Sequence, residues 1–324
     1  MIKNDFVFLS SDNKTKIHCI ACFPSNGKFS RILQMIHGMI EYIERYLNFF
    51  EYLTSNGFLV VGHDHLGHGE SINSKEDLGY FGEPNPNQLL IQDIHTLRLI
   101  TQKKYRNLPY FMAGHSMGSY LLREYLSLAG NGLSGAIIIG TGYESTFKTL
   151  MGFNFCRLMS CLKGSRNRSK FVKNMSFGGE AYKKYDMTKT DVYNSWITSD
   201  PEMAKLYNED KKMDFEFTIN GYIGLVQTVN FSCDIFNIAR IRKDLPILLI
   251  SGDSDPVGNC GKGVQKVYKM MKSVGISDIK IKLYKNDRHE ILNEVNRKEV
   301  YEDIRAWLNE KTIYNTKHIF INKK

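Results

Sequence analysis

Tyr110-Phe111-Met112-Ala113-Gly114-His115-Ser116-Met117-Gly118-Ser119 decides how this 324-residue chain is read. Tyr110–Ala113 is a short apolar run suited to a buried strand, and from Met117 to Leu128 apolar residues recur at helical spacing. Between them lies the chain's single G-x-S-x-G, Gly114 to Gly118. A strand running directly in and a helix running directly out predict a sharp turn that exposes the Ser116 hydroxyl on a strained backbone. The flanking glycines let strand and helix approach closely. A Gly-Ser turn without chemistry shares these letters, and the strand-to-helix context sets this one apart.

The same alternation continues on both sides. Phe6–Leu9 and Lys16–Phe23 flank Ser-Ser-Asp-Asn as a predicted hairpin. Arg31–Ile36 and Phe58–Gly62 read as buried strands, and Ile43–Ser55 and Gln88–Lys104 as helices. Further strands are predicted at Gly135–Ile139, Pro246–Ser251 and Lys280–Tyr284, with helices near Lys262–Ser273 and Val295–Leu308. Strands alternating with helices predict an α/β class with a mostly parallel, doubly wound sheet. Between 143 and 242 no strand pattern is visible, only helix-like and loop-like sequence. An insertion of that size inside an α/β layer reads as a helical cap over a site. The expected organisation is a core of 1–142 and 243–310, a cap of 143–242, and a basic C-terminal tail of 311–324.

A serine hydroxyl attacks a carbonyl only when a base takes its proton, and that base needs an orienting carboxylate. His289 is the only histidine between Ser116 and His318, so the base is nearly forced. It lies in Asn286-Asp287-Arg288-His289-Glu290, just after a predicted strand, where open α/β sheets place their sites. The preceding strand runs into Ser251-Gly252-Asp253-Ser254-Asp255-Pro256-Val257-Gly258. Asp253 and Asp287 are rival acids, each with the alternative role of capping a turn. An oxyanion needs two backbone N–H donors. Met117, the residue after the serine, is one, and Met39 in Ile36-His37-Gly38-Met39 is the other candidate. His37 is read as shaping that loop rather than as a second base.

Five segments together resemble the monoacylglycerol lipase-like and lysophospholipase-like serine hydrolases of serine aminopeptidase S33 type. They are Ile36–Glu41 with Arg45-Tyr46, Gly62–Ser71, Gly114–Ser119, Gly252–Gly258 and His289–Glu294. The resemblance spans about residues 5 to 310 and implies an α/β-hydrolase fold with a helical cap and a Ser116–His289–Asp255 triad. Asp255 is preferred over Asp253 because the family's acid is the second aspartate of its G-x-x-D loop. The resemblance also implies head-group binding around Gly38, Glu41 and Arg45. From the residues alone, Glu41 and Arg45 serve equally well as a structural ion pair. Leu292 stands where mammalian monoacylglycerol lipases have a second histidine, and Tyr207–Lys211 only partly matches the Tyr-x-x-Asp-Pro of bacterial caps. The implied reaction is hydrolysis of a lipid-type carboxylic ester, a monoacylglycerol or lysophospholipid, through an acyl-enzyme. A proline-type aminopeptidase, or a thioesterase or acyltransferase using the same triad, is the alternative. A serine nucleophile argues against dehalogenase and epoxide hydrolase chemistry, which on this fold uses aspartate.

Composition narrows the remaining choices. The chain has 43 Lys and Arg against 34 Asp and Glu, a formal charge of +9. These cations are spread among acids rather than gathered on one face with aromatics, which excludes a nucleic-acid binder. Two stretches are one-sided: Arg157 to Lys173 has six cations and no acid, and Lys311 to Lys324 has four and none. The first lies within Leu150–Lys173, whose first half is apolar (Met151, Phe153, Phe155, Leu158, Met159, Leu162), which suits ordinary cap packing, an acyl tunnel wall or peripheral contact with an anionic membrane. Cys19 and Cys22 sit three apart on a predicted strand and so face opposite ways, which excludes a shared metal. No G-x-G-x-x-G, P-loop or H-E-x-x-H is present, so no nucleotide cofactor or metal is implied. Free thiols, no apolar span of 18 residues and no signal-like N-terminus lead to the expectation of a cytoplasmic protein.

Overall fold

A strand whose odd and even side chains are both apolar must be covered on both faces. Five segments have that property: β3 (Arg31–Ile36), β4 (Phe58–His63), β5 (Tyr110–His115), β6 (Gly135–Ile139) and β7 (Ile247–Gly252). A computed structural model describes the backbone of residues 1–177, 182, 185 and 194–321, and the side chains of 1–174, 182, 185 and 194–312. With β1 (Ile2–Leu9), β2 (Lys16–Phe23) and β8 (Ile279–Tyr284), these strands form one eight-stranded sheet. Its order is β1-β2-β4-β3-β5-β6-β7-β8. The β1–β2 and β2–β4 pairs are antiparallel and every other pair is parallel.

The alternation of side chains splits the core in two. Tyr110 and Met112 pack on one face of the sheet with Leu90 and Ile94 of α2 (Pro86–Lys104) and Leu121 and Tyr125 of α3 (Met117–Ala129). Phe111 and Ala113 pack on the other with Phe50 and Leu53 of α1 (Leu47–Ser55) and with Ile304 and Trp307 of the closing helix, Arg297–Ile321. Cys19 belongs to the first cluster and Cys22 to the second, so the period-two reading of that pair holds. This is the α/β-hydrolase architecture.

The chain runs from β3 to β4 on one side, then returns to β5 on the other. The loops leaving β3 and β5 therefore open side by side at the switch point, where such sheets bind ligands. Between β6 and β7 the described residues hold no strand. They form α4 (Thr146–Lys163), α5 (Lys170–Phe177), α6 (Pro201–Glu209) and α7 (Ile219–Cys233). Side-chain caps start three of these: Ser145 accepts from Lys148 N, Asp200 from Glu202 N, and Thr218 from Gly221 N. Helix α7 lies on α3, where buried Arg123 donates to the carbonyls of Gly142 and Ser232 and so ties the cap to the core.

Two elements are longer than predicted. Strand β1 starts at Ile2 rather than Phe6, because an edge strand keeps its ladder whether or not Lys3, Asn4 and Asp5 offer an apolar face. The closing helix runs to Ile321, through most of the segment read as a tail. No Gly or Pro follows Leu308 to stop it, and Lys311 is anchored on Asp278 at 2.7 Å.

Buried Glu124 of α3 joins the core to the cap, accepting from Asn87 of α2 and Thr228 of α7. Burial pushes its pKa up to about 7, whereas an unfolded glutamate titrates near about 4.3. The folded carboxyl stays protonated where the unfolded one has ionised, so its stabilisation is complete below the unfolded value. That stabilisation is lost as pH rises through about 7. Glu124→Gln has no such slope. Urea midpoints at pH 5 and pH 8 should show the variant gaining on wild type by about 2–3 kcal/mol at the higher pH; parallel shifts at both pH values would refute this.

Candidate active site

Strand β5 ends at His115 and α3 begins at Met117, which leaves Ser116 alone in the turn. Its backbone sits at φ 52°, ψ −122°, a conformation that costs an L residue about 1–3 kcal/mol. The turn is secured by Ser116 N–H donating to Ile139 O at 3.0 Å, and by Ser119 N–H and Oγ donating back to Ser116 O at 2.8 and 2.6 Å. Only glycine fits on either side. A Cβ on Gly114 would stand 2.3 Å from Gly118 O, and one on Gly118 would stand 2.2 Å from Ile36 O. That approach brings the end of β3 and its loop against the serine: Ser116 Cβ is 3.0 Å from where a Gly38 Cβ would be. Met117 is the first residue of α3, so its N–H has no partner within the helix. Met39, Ser116, Met117 and His289 line one cavity.

Asp255 follows β7, His289 follows β8, and the adjacent parallel strands set the two loops together. His289 Nδ1 is 3.0 Å from Asp255 Oδ1. That oxygen also accepts from Val257 N–H at 2.8 Å, and Oδ2 accepts from Ser251 Oγ at 3.0 Å. Burial would raise the Asp255 pKa, but the charge and hydrogen bond of His289, with those two donors, hold it below the usual carboxylate value. The rival acids are elsewhere. Asp253 Oδ1 accepts from Asn286 N–H and Ser254 Oγ, a turn staple. Asp287 is pushed up to about 6 by burial and by Glu294. Among the described residues, Asp255 is the acid on His289.

A buried charge network stands behind the serine. Glu41 accepts from Gly38 N–H at 2.7 Å, Tyr46 Oη at 2.5 Å and Arg45 Nη1 at 2.9 Å. Arg45 also grips Glu290 with both nitrogens, at 2.7 and 2.9 Å. Tyr46 spends its proton on Glu41, so at its 2.9 Å contact with His115 Nδ1 the nitrogen must donate. His115 Nε2 faces the His289 carbonyl at 3.3 Å, and a carbonyl only accepts. His115 is thus placed to donate from both ring nitrogens. Burial opposes a charge there, but Glu41 outweighs it and raises the pKa above the ordinary histidine value. Burial likewise opposes the Glu41 charge, and His115 and Arg45 hold its pKa well below the usual range. Arg45 sits between the two carboxylates, and Glu41 and Arg45 form the ion pair left open by the sequence.

Residues 27–296 match the model of the family described as serine aminopeptidase, S33. The chain belongs to this family. It is similar to the monoglyceride lipase of Homo sapiens, 24% identical over 302 residues that cover 88% of this chain and 84% of that protein. It also matches an abhydrolase domain-containing protein of Dictyostelium discoideum, 25% identical over 88% of this chain but only 27% of that protein's length. The solved structure of a highly thermostable carboxyl esterase from Bacillus coagulans in complex with glycerol has a TM-score of 0.88 at 30% identity, covering 96% of this chain and 99% of that one. The chain is therefore an ester-hydrolysing enzyme.

The cavity of this S33 hydrolase measures about 1430 Å³, above the roughly 300–1,000 Å³ usual for small-molecule sites. Met151, Phe155, Val172, Leu225, Val226 and Val229 give it a long apolar wall from the cap. Glu41, Glu290, Asn194 and Tyr207 give it a polar one. Arg45 does not line it and lies behind Glu290 under the Tyr207 ring, 4.9 Å from the centroid. His37 shapes its loop: Nδ1 meets Gly38 O at 2.8 Å and Nε2 accepts from His65 N–H at 2.8 Å. Among the described residues no three His, Cys, Asp or Glu could hold a metal, and no helix is long and apolar enough to cross a membrane. Three site residues carried no prediction. Ser251 and Glu290 stood in the quoted loops, where their polarity was a usable signal. Trp196, in the cap, offered none.

Asp255→Asn should lower kcat by about 10³–10⁴-fold by releasing the histidine tautomer. Asp253→Asn and Asp287→Asn should each stay within about tenfold of wild type in the same ester assay. A larger loss from either than from Asp255→Asn would reassign the acid.

Proposed function

We propose that this enzyme hydrolyses a lipid-type carboxylic ester, a monoacylglycerol or lysophospholipid, through an acyl-enzyme. Ser116 Oγ attacks the carbonyl carbon while His289 Nε2 takes its proton. Asp255 holds Nδ1 and stabilises the imidazolium. The N–H groups of Met39 and Met117 receive the developing oxyanion. The proton then passes from His289 to the leaving alcohol, and water, activated by the same histidine, frees the acid.

The observation that carries this reading is the apolar wall beside Ser116 in a cavity large enough for a long acyl chain. Each methylene taken from water contributes about 0.8 kcal/mol. The likeness to monoglyceride lipases supports the same substrate class. An aminopeptidase needs carboxylates for its substrate's amine; of the five described carboxylates that line the cavity, four already pair with cations, Glu41 and Glu290 with Arg45, Glu144 with Lys148 and Glu216 with Lys173.

A fluorophosphonate probe should label wild type and spare Ser116→Ala. Across p-nitrophenyl esters from acetate to decanoate, kcat/KM should climb by up to about fourfold per methylene. Unlabelled wild type, or turnover of prolyl amides without esters, would overturn the proposal.

The cap surface supports peripheral contact with anionic membrane. Phe147, Leu150, Met151, Leu158 and Leu162 share one exposed stripe of α4, and Phe147 and Leu162 are 74% and 71% exposed. Residues 146–174 carry seven Lys or Arg and no Asp or Glu. Met151 belongs both to that stripe and to the cavity, so the surface leads into the site. Five cations are already engaged: Lys148 on Glu144, Arg157 over the Phe153 ring, Arg166 on Asp77, Arg168 on backbone carbonyls and Lys173 on Glu216. Wild type should sediment with phosphatidylglycerol vesicles far better than with phosphatidylcholine. Phe147→Ser with Leu162→Ser, or Lys163→Gln with Lys170→Gln, should release it; variants that sediment like wild type would remove membrane contact from the account.

A further inference from the structure

The cap segment Ser195 to Ser199 is bonded to the loop carrying His289 on both sides of the histidine. Arg288 Nη1 donates to Ser195 O at 2.5 Å, and Glu290 N–H donates to Ile197 O at 2.7 Å. Thr198 Oγ1 donates to Asn293 O at 3.2 Å. Fully buried Glu294 accepts from Ser199 N–H at 2.9 Å, Ser199 Oγ at 2.5 Å and Arg288 N–H at 2.8 Å. Within this clamp the Trp196 ring lies 5.4 Å from that of His289, centroid to centroid, with the planes 36° apart. Tyr182 meets Trp196 edge-on at 5.1 Å and 84°. Both separations are those of interacting ring pairs.

A single hydrogen bond at Nδ1 fixes a point on the imidazole and its tautomer, but leaves the ring free to tip about that bond. Its plane has to be set by neighbouring surfaces. One is His115, 4.8 Å away in the core, and the other is Trp196 from the cap. An indole face also attracts a cation, and in the reaction His289 becomes one as Ser116 attacks. A contact that strengthens at that moment raises kcat rather than lowering KM.

We propose that Trp196 is a positioning residue for the general base: through the Ser195-to-Ser199 clamp, the cap sets the plane of His289 and gives its imidazolium an aromatic face. This rests on the role assigned to His289 above. Acyl transfer on this chain is then matched to a seated cap even for substrates too small to reach the cap's apolar wall.

The test uses p-nitrophenyl acetate, whose two-carbon acyl group has no need of that wall. Trp196→Ala should lower kcat by about tenfold or more with KM within about threefold, and Trp196→Phe should retain most of the rate. A loss confined to KM would make Trp196 a wall of the cavity and overturn the proposal. Fluorescence reads the contact independently of turnover and survives an Ala variant that fails to fold. Emission of Trp196, taken as wild type minus Trp196→Phe, should fall on acidification as the imidazolium quenches the indole, and His289→Gln should abolish that fall. An unchanged acid quench in His289→Gln would overturn the proposal. Wild type with a His289-dependent quench but no esterase activity would instead overturn the hydrolase reading.

Discussion

The backbone of α3 meets the end of β3 with no room for a single methyl group, and most of the site follows from that contact. Gly118 must lie against the Ile36 carbonyl for the first turn of α3 to sit beside the β3 loop. Because it does, Met39, just after β3, and Met117, just after β5, line the same cavity. The cost is loaded onto Ser116, whose positive φ turns the chain from strand to helix in one residue. Hydrogen bonds from the turn's own neighbours, Ile139 and Ser119, offset part of it.

What the sequence disclosed divides along the range of the interactions involved. The strand-turn-helix around Ser116 is local, and six or seven consecutive residues carry its physics. The alternation of buried strands, which sets the α/β class, is likewise written in short runs. Asp255 and Asp253 are two residues apart in one turn, and their separate fates depend on a histidine 34 positions past Asp255. Local chemistry could not separate them; the resemblance to a family did. Strand β1 hid its first half because an edge needs no apolar pattern. Trp196 was invisible for a stronger reason: its partner is 93 positions away, and nothing near it marks a site.

Among the polar contacts that attach the cap to the core, two sets lie next to the elements that carry Ser116 and His289. At one, α7 gives Thr228 and the Ser232 carbonyl to Glu124 and Arg123 of the helix that follows the nucleophile. At the other, Ser199 and Ile197 bond to the loop that follows β8. Helices α4 and α7, with Val172, supply the apolar wall of the cavity, whereas the second attachment comes from residues 195–199. The apolar wall and the contacts to the His289 loop therefore come from different parts of one insertion.

The left-handed backbone at Ser116 has an evolutionary corollary. Glycine would occupy that φ without penalty, so exchanging the serine for it trades the reacting hydroxyl for a more relaxed turn. Stability and turnover pull in opposite directions at this one position. Selection for thermal robustness alone, acting on a chain relieved of its chemistry, would be expected to replace Ser116 early.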